Sequence, residues 1–339
     1  MPSRLTRLLL PSAAWKSGAS APRKACEIDA GFTPCARILR SVATRLAIPL
    51  LLSFTCAQAE TLVLSSQFVN QVKDKASINV NLEVDVHPQT PHPIKSGGND
   101  GDIHMAGRAD EVQLPMVAEI VNARKETAAL TLLKKTTKGK VLPVKGVWRI
   151  WFEHLGKEAQ VQGTEVDVPD TSNPAHLFEI HPITQFGEDS VLDSFTEIPG
   201  YTAYPAHVAF PFYEKVPATI STANGAVSIT SGEGKYNYAE FVIELAGAVQ
   251  SDGDDGLFVL AKVYDSENQE EPVTSDVRRM VLVNNTPPAK QIQSMSTGDR
   301  VHVLGIPRVN LSEVTAMATS DPTTTTLPYE MIIVAILPD

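Results

Sequence analysis

Cysteine is almost missing from this sequence of 339 residues. Its three cysteines are Cys26, Cys35 and Cys56, so none follows residue 56. The later part of the chain therefore has no disulfide, no thiolate nucleophile and no cysteine-ligated zinc. It must be held together by its hydrophobic cores, and a mature chain of about 280 residues is long enough for one or two of them.

Long hydrophobic runs are scarce as well. Arg37, Arg40 and Arg45 precede an apolar run over residues 46–54, and the small-residue motif Ala57-Gln58-Ala59 follows it. This order is typical of a secretory signal peptide, and the run is too short to span a bilayer. Lipoprotein processing at Cys56 is the competing interpretation, but residues 53–55 lack the small residue that it requires.

We therefore expect residues 1–59 to be an upstream extension plus a signal peptide ending near Ala59. The mature chain is then exported, to the periplasm or the medium. The last apolar run, near residues 329–336, is also too short for a membrane span, so we expect none in the mature chain.

Basic residues are few once this leader is set aside. The whole chain has 29 Lys and Arg against 39 Asp and Glu. Removing the leader's eight basic and two acidic residues leaves 21 against 37, a net charge of −16. A protein this acidic repels phosphate backbones, so nonspecific nucleic-acid binding is disfavoured.

Short apolar runs separated by Gly, Pro, Asn and Asp predict a mainly β protein. Five of them are predicted strands of a first domain (60–186), and a segment rich in Ala, Leu and Lys is a predicted helix between the third and fourth. This is the order of the OB-fold, a five-stranded barrel. The strands are 78–86, 102–106, 114–121, 147–154 and 177–183, and the helix is 122–135.

The same order recurs in weaker form, which predicts two tandem OB-fold-like five-stranded barrels. The second domain (236–318) has predicted strands at 239–245, 255–264, 277–283 and 299–311, with a short helical segment at 287–295. We expect residues 187–235 to connect the two domains. Residues 319–339 are predicted to be a polar linker and one last strand.

Histidine and carboxylate pairs mark a candidate metal site on the first barrel. Residues two apart on a strand share a face, so Asp102 pairs with His104, and Glu179 with His181. With Glu119 or His154, they form a nitrogen and oxygen ligand set that suits zinc or another divalent metal. The alternative is structural, with a turn at residues 100–102 and a hydrogen-bonded polar layer.

Tryptophans give a second, weaker signal. Trp148 and Trp151 are three residues apart on the fourth predicted strand, so their side chains point to opposite faces. One belongs in the core, and the other is a candidate platform for stacking a sugar or a base. Burial of both is the alternative.

Three ordered motifs resemble a group of exported bacterial proteins of uncharacterised function. They are the hairpin at residues 100–105, the strand at 116–120 and the Glu-Ile-His-Pro segment within 178–183. The group has an Asp-Gly-Asp-x-His-Leu hairpin, and this chain has Met105 in place of the leucine. The resemblance covers residues 78–186 and implies a small secreted barrel module, without an activity.

Together these features predict an exported binding or interaction module whose ligand is a small molecule, a glycan or a protein. The alternative is a metal-dependent, nuclease-like hydrolase working at the histidine and carboxylate site. A third hypothesis is an accessory subunit of an envelope assembly.

Overall fold

The structure is a computed structural model that describes residues 59–95 and 99–338. The predicted leader therefore lies outside the described residues, except for Ala59. The helices of the described ranges are α1 (Ser66–Val72), α2 (Thr127–Lys135), α3 (Ala206–Tyr213), α4 (Pro287–Gln293) and α5 (Leu311–Met317). None of them is long and apolar enough to cross a membrane.

Strands make up most of the regular structure in these ranges. Those of three or more residues are β1 (Ala59–Ser65), β2 (Ser77–Val86), β3 (Ile103–Arg108), β4 (Met116–Ile120), β5 (Lys140–His154), β6 (His176–Phe186), β7 (Pro217–Ala223), β8 (Ala226–Gly232), β9 (Ala239–Leu245), β10 (Gln250–Asp252), β11 (Gly256–Tyr264), β12 (Arg278–Val283), β13 (Arg300–Val309), β14 (Thr323–Thr326) and β15 (Tyr329–Ile336). Two-residue strands are Ile94–Lys95, Asn99–Asp100, Gln160–Val161, Asp189–Ser190 and Tyr204–Pro205. The prediction of a mainly β protein is confirmed.

Strands β2 to β6 close into a five-stranded barrel, called the first barrel below. Their order is β6, β4, β3, β2 and β5, and β5 pairs again with β6. Every pair is antiparallel except β4 with β6. Alternation explains β2, where Val80, Leu82 and Val84 are buried while Asn79 and Asn81 are exposed.

The one convincing helix of the sequence lies between β4 and β5, but it begins later than predicted. The prediction was residues 122–135, whereas α2 begins at Thr127 and is preceded by a 3₁₀ turn over Ala123–Lys125. Asn122 has a φ of 46°, in the left-handed region that Asn tolerates and that a helix cannot continue through. Ala129 and Leu133 are its buried residues.

Five later strands, called the second barrel below, also close on themselves. The order is β9, β13, β15, β12 and β11, and β11 returns to β9. Here too a single pair is parallel, β12 with β15, and α4 lies between β12 and β13 in sequence.

The sequence predicts a last strand outside the second domain, but in the structure this strand is part of the second barrel. Strand β15 lies between β13 and β12. Residues 329–335 are all buried and, apart from Glu330, apolar or aromatic, so this strand needs cover on both sides.

A third sheet has the order β14, β7, β8, β1 and Gln160–Val161. It brings together the start of the described chain, the predicted connecting segment and residues near the end. The connecting segment thus has structure of its own, consisting of α3, β7 and β8. All described residues belong to one compact unit.

Candidate functional site

Ionisable side chains form a row across the outer face of the first barrel, called the buried polar row below. His104 is the cross-strand partner of Glu119, and Arg149 is the partner of Glu179. Side chains alternate along a strand, and the chain neighbours of these residues are in the barrel core. Those neighbours are Met105, Ala118, Ile150, Phe178 and Ile180.

The outer face that carries the row is covered by the second barrel. The Nε of Arg149 donates to the backbone oxygen of Pro307 at 2.9 Å, and His181 Nε2 lies 2.9 Å from the Tyr238 hydroxyl. A second hydrophobic cluster surrounds this contact. It is formed by Ala76, Val121, Val147, Phe195, Ile198, Tyr238, Val281, Val283, Leu304, Ile306, Ile332, Val334 and Ala335.

The four predicted metal ligands meet in this row, and Glu119 joins them. His104 is in direct contact with Asp102, and His181 Nδ1 lies 3.4 Å from Glu179 Oε2. One oxygen of Glu119 lies 3.5 Å from His104 Nε2 and 3.1 Å from His181 Nδ1. The two sequence pairs are therefore parts of one continuous network.

Further groups extend the row at both ends. At one end, Asp100 accepts a hydrogen bond from the Asp102 amide at 3.1 Å, and His92 lies 2.8 Å from Asp102. At the other end, Arg149 bonds to Glu179 and, at 3.0 and 3.2 Å, to Glu153.

Burial and charge oppose each other at the Asp102 end of the row. Burial lowers the pKa of His104, but the Glu119 and Asp102 carboxylates outweigh this effect and raise that pKa to about 10. Burial raises the pKa of Asp102, but its bonds to His104 and His92 prevail and hold it below its usual range. Burial also raises the pKa of Asp100 to about 7, and the Asp102 charge adds to the rise.

The two carboxyl groups at the centre of the row have pKa values shifted in opposite directions. Burial raises the pKa of Glu119 well above its usual range, and the neighbouring His104 charge opposes this rise. Burial also favours a neutral Glu179, but the Arg149 charge outweighs it and holds the pKa of Glu179 well below its usual range. Burial lowers the pKa of His181, which is therefore neutral.

The predicted ligand set is sealed rather than open. The exposed fractions are 4% for Asp102, 9% for His104, 2% for Glu179 and 0% for His181. A hydrolytic metal needs a coordination position that is open to water and substrate. The buried polar row offers none at these four residues, so its geometry gives the hydrolase hypothesis no support.

The second barrel keeps the arginine and glutamate pair of the row but carries apolar residues at three of its other positions. Arg308 pairs with Glu330 as Arg149 pairs with Glu179, and this fixes the alignment of the two sheets. In that register, Val281 corresponds to Glu119, Ile332 to His181 and Phe258 to His104. The strand arrangement itself therefore does not require histidines and carboxylates at these positions.

Neither tryptophan is an exposed platform, which corrects the stacking hypothesis for Trp148 and Trp151. Their exposed fractions are 0% and 2%. Trp148 donates from Nε1 to the Lys75 backbone oxygen at 2.7 Å, and Trp151 packs edge-on against Tyr213 at 5.7 Å between ring centroids. Both faces of β5 are covered, because α3 and the second barrel enclose the barrel's outer side.

Sequence reasoning missed Arg149, Glu153, His176 and Tyr238. Arg149 and Glu153 sit on β5 four residues apart, but their relevance depends on Glu179, which is 30 residues further on. One signal could have pointed to Arg149: each barrel has an arginine on its fourth strand that opposes a glutamate on its fifth.

An open groove, called the acidic groove below, lies beside the first barrel. It has a volume of about 770 Å³ and is bounded by Pro115 and Met116 at the start of β4 and by residues 155–170 of the loop between β5 and β6. Glu60 anchors this loop, since it accepts hydrogen bonds from the Gly156 amide and, at 2.9 Å, from Gln160.

The groove lining is strongly acidic with exposed apolar patches. Its exposed charged residues are Glu158, Glu165, Asp167, Asp170 and a single lysine, Lys157. Within the described part of the chain, none of these four carboxylates forms an ion pair with a basic side chain. Val168, also in the lining, is 46% exposed.

Comparison with known proteins identifies no family. No protein-family model matches the chain, and no curated protein matches it. Among solved structures, it is similar to a single-stranded DNA binding protein from Thermus aquaticus, with 11% sequence identity and a TM-score of 0.21. That match covers 78% of this chain and 91% of the other, and a TM-score this low supports no functional inference.

Proposed function

We propose that this protein is an exported binding module of two OB-fold barrels that takes a basic protein or peptide segment in the acidic groove. Export rests on the predicted leader. The OB-fold assignment rests on strand order: in each barrel the first strand pairs with the second and fourth, and the third runs parallel to the fifth.

The observation that carries the proposal is the groove's unpaired negative charge beside exposed apolar surface. OB-folds commonly bind ligands at strands two and three and at the loop between strands four and five. The groove occupies this region, with Gly107 of β3, Met116 of β4 and the loop 155–170 in its lining. Its charge favours a lysine- or arginine-bearing partner and opposes a phosphate backbone.

A fluorescent peptide of alternating Lys and Val tests this directly. We expect it to bind the full chain, and a matched Glu and Val peptide to bind far more weakly. Added salt should weaken the binding, because the carboxylates are exposed. The double variant Glu165→Gln, Asp167→Asn should weaken it roughly threefold or more, since an exposed ion pair contributes about 0.2–1 kcal/mol.

The control removes two carboxylates elsewhere. Glu270 and Glu271 are exposed in the loop between β11 and β12, and Glu270→Gln, Glu271→Gln should leave the affinity within about twofold. Equal binding of the two peptides, or an equal effect of the two double variants, would rule out the acidic groove as the site.

A further inference from the structure

A second group of ligating side chains lies where the buried polar row reaches the surface. His154 and His176 are cross-strand partners on β5 and β6, and their rings stack with centroids 4.7 Å apart. One ligating atom from each of His154, His176 and Glu179 lies within 4.8 Å of the other two. Of the four residues predicted from sequence, this group contains Glu179 alone.

The orientation of His176 points its second ring nitrogen at a carboxylate. Its Nδ1 lies 2.7 Å from the Pro174 backbone oxygen, which can only accept, so Nδ1 carries a hydrogen. Nε2 lies 3.0 Å from Glu179 Oε1, within hydrogen-bond distance. Two atoms of types that ligate a divalent metal ion are therefore already held side by side.

The surrounding bonds are those that hold metal ligands in place. A ligating histidine commonly donates its other ring N–H to a backbone carbonyl, as His176 does. Glu179 is held through its other oxygen by Arg149. His176 is fully buried, whereas the His154 side chain is 31% exposed.

The group reaches solvent through His154, the one of its three members that is partly exposed. His154 and Glu153 line a cavity of about 680 Å³ that Lys215 and Lys235 also line. A metal held by three protein ligands would keep a position open toward this cavity. Glu153 Oε1 lies 3.2 Å from His154 Nε2, so a second carboxylate is at hand to balance the charge.

The position of His176 is apolar in the second barrel. His176 lies three residues before Glu179, the glutamate that pairs with Arg149 in the first barrel. In the second barrel, the residue three before the corresponding Glu330 is Leu327. Leu327 is 1% exposed and packs in the core. A buried leucine therefore meets the needs of the fold at this place, and the histidine has another use.

We propose that His154, His176 and Glu179 bind one divalent transition-metal ion of the zinc type, with a coordination position open to the adjacent cavity. Two imidazoles and one carboxylate are a ligand set that such ions favour. Ligand atoms of a tetrahedral zinc lie about 3.3 Å apart, a spacing that the His176 and Glu179 pair already approaches.

Titration of chelator-treated full chain with Zn²⁺ in a calorimeter tests the proposal. We expect one ion per chain, and a visible absorption band when Co²⁺ replaces Zn²⁺. His154→Gln should weaken Zn²⁺ binding by roughly tenfold to a hundredfold or more. This variant is at a partly exposed position, so the chain should still fold.

The control variant is His92→Ala. His92 is also partly exposed and also faces a carboxylate, in the separate group formed with Asp102 and His104. It should leave Zn²⁺ affinity unchanged within about twofold. Absence of a stoichiometric ion in the wild-type chain would overturn the proposal, as would loss of binding in His92→Ala with retention in His154→Gln.

A second measurement does not depend on a variant. Diethyl pyrocarbonate modifies imidazole nitrogens, and mass spectrometry locates the modified histidines. Zn²⁺ should slow modification of His154 by at least about tenfold and leave His92 unchanged. Equal protection of both, or protection of His92 alone, would contradict the assignment.

Discussion

Glu119 connects the two halves of the buried polar row into one network. Without it, the Asp102 and His104 pair and the Glu179 and His181 pair would be separate contacts on different strands. Its oxygen lies 3.5 Å from His104 and 3.1 Å from His181. Burial raises the pKa of Glu119 well above its usual range, and the His104 charge opposes this rise.

Asp100, at the end of the row, gives a prediction about pH. Burial raises its pKa to about 7 from an ordinary value of 3.8, so the folded chain holds this proton more tightly than the unfolded chain. The stability that follows is complete below pH 3.8 and is lost as the pH rises through about 7. Asp100→Asn removes the titration and keeps an acceptor for the Asp102 amide.

We therefore expect Asp100→Asn to match the wild type at low pH and to exceed it at pH 8, by on the order of 1 to 4 kcal/mol. Urea unfolding at both pH values measures this difference. The exposed Asp110→Asn is the control and should change stability by the same small amount at both. A variant that is less stable than the wild type at pH 8 would contradict the buried, protonated state of Asp100.

At the scale of elements, Gly146 shows how tightly β5 and β6 approach each other. A Cβ added at Gly146 would lie 2.5 Å from Ile180 Cγ2 and 2.6 Å from the Pro182 backbone oxygen. Backbone atoms cannot move aside as a flexible side chain can, so Gly146→Ala strains the pairing that closes the first barrel.

Gly146→Ala should cost about 1–3 kcal/mol of unfolding free energy, the usual range for overpacking. The matched control is Gly247→Ala, where an added Cβ meets nothing within 4 Å and the backbone is not left-handed. It should be neutral or stabilising by up to about 1 kcal/mol. Urea unfolding of both variants gives the comparison, and equal effects would contradict the close approach at Gly146.

Elements with a clear periodicity of apolar residues were predictable from the sequence. Elements whose bounds or pairing depend on distant contacts were not. Alternation located β2, and the residues of β9 match the predicted range of 239–245. The start of α2 was missed because Asn122 adopts a left-handed conformation, which the hydrophobic periodicity of the sequence does not reveal. The pairing of β15 was missed because a strand's neighbours depend on the whole sheet.

The candidate site divides in the same way. Residue spacing placed Asp102 with His104 and Glu179 with His181, because residues two apart share a strand face. It could not locate Tyr238 or Pro307, which reach the row from 57 and 158 residues away. It also made one of Trp148 and Trp151 a candidate stacking platform, because nothing in the strand's own pattern shows that both faces are covered.

At the scale of the whole molecule, the two barrels hold each other through reciprocal arginine contacts. Arg149 donates to the backbone oxygen of Pro307, the residue before Arg308, and Arg308 donates to that of Trp148, the residue before Arg149. Each arginine also bonds to the glutamate of its own fifth strand. Loss of one partner from such a buried ion pair typically costs about 3–5 kcal/mol, so each arginine is held firmly by its own barrel while it bonds to the other.

This packing leaves the acidic groove accessible. The second barrel packs against β5 of the first barrel through β13, whereas the loop over residues 155–170 stays open. The excess of acidic over basic residues adds a long-range attraction for basic partners.

Carbodiimide cross-linking tests binding at the acidic groove, because it joins a bound peptide's lysines to the carboxylates that they touch. With the Lys and Val peptide on the full chain, we expect the cross-links to concentrate on Glu158, Glu165, Asp167 and Asp170. Mass spectrometry of the digested product gives their positions. Cross-links spread over the exposed carboxylates of the whole surface, in proportion to their exposure, would contradict the account.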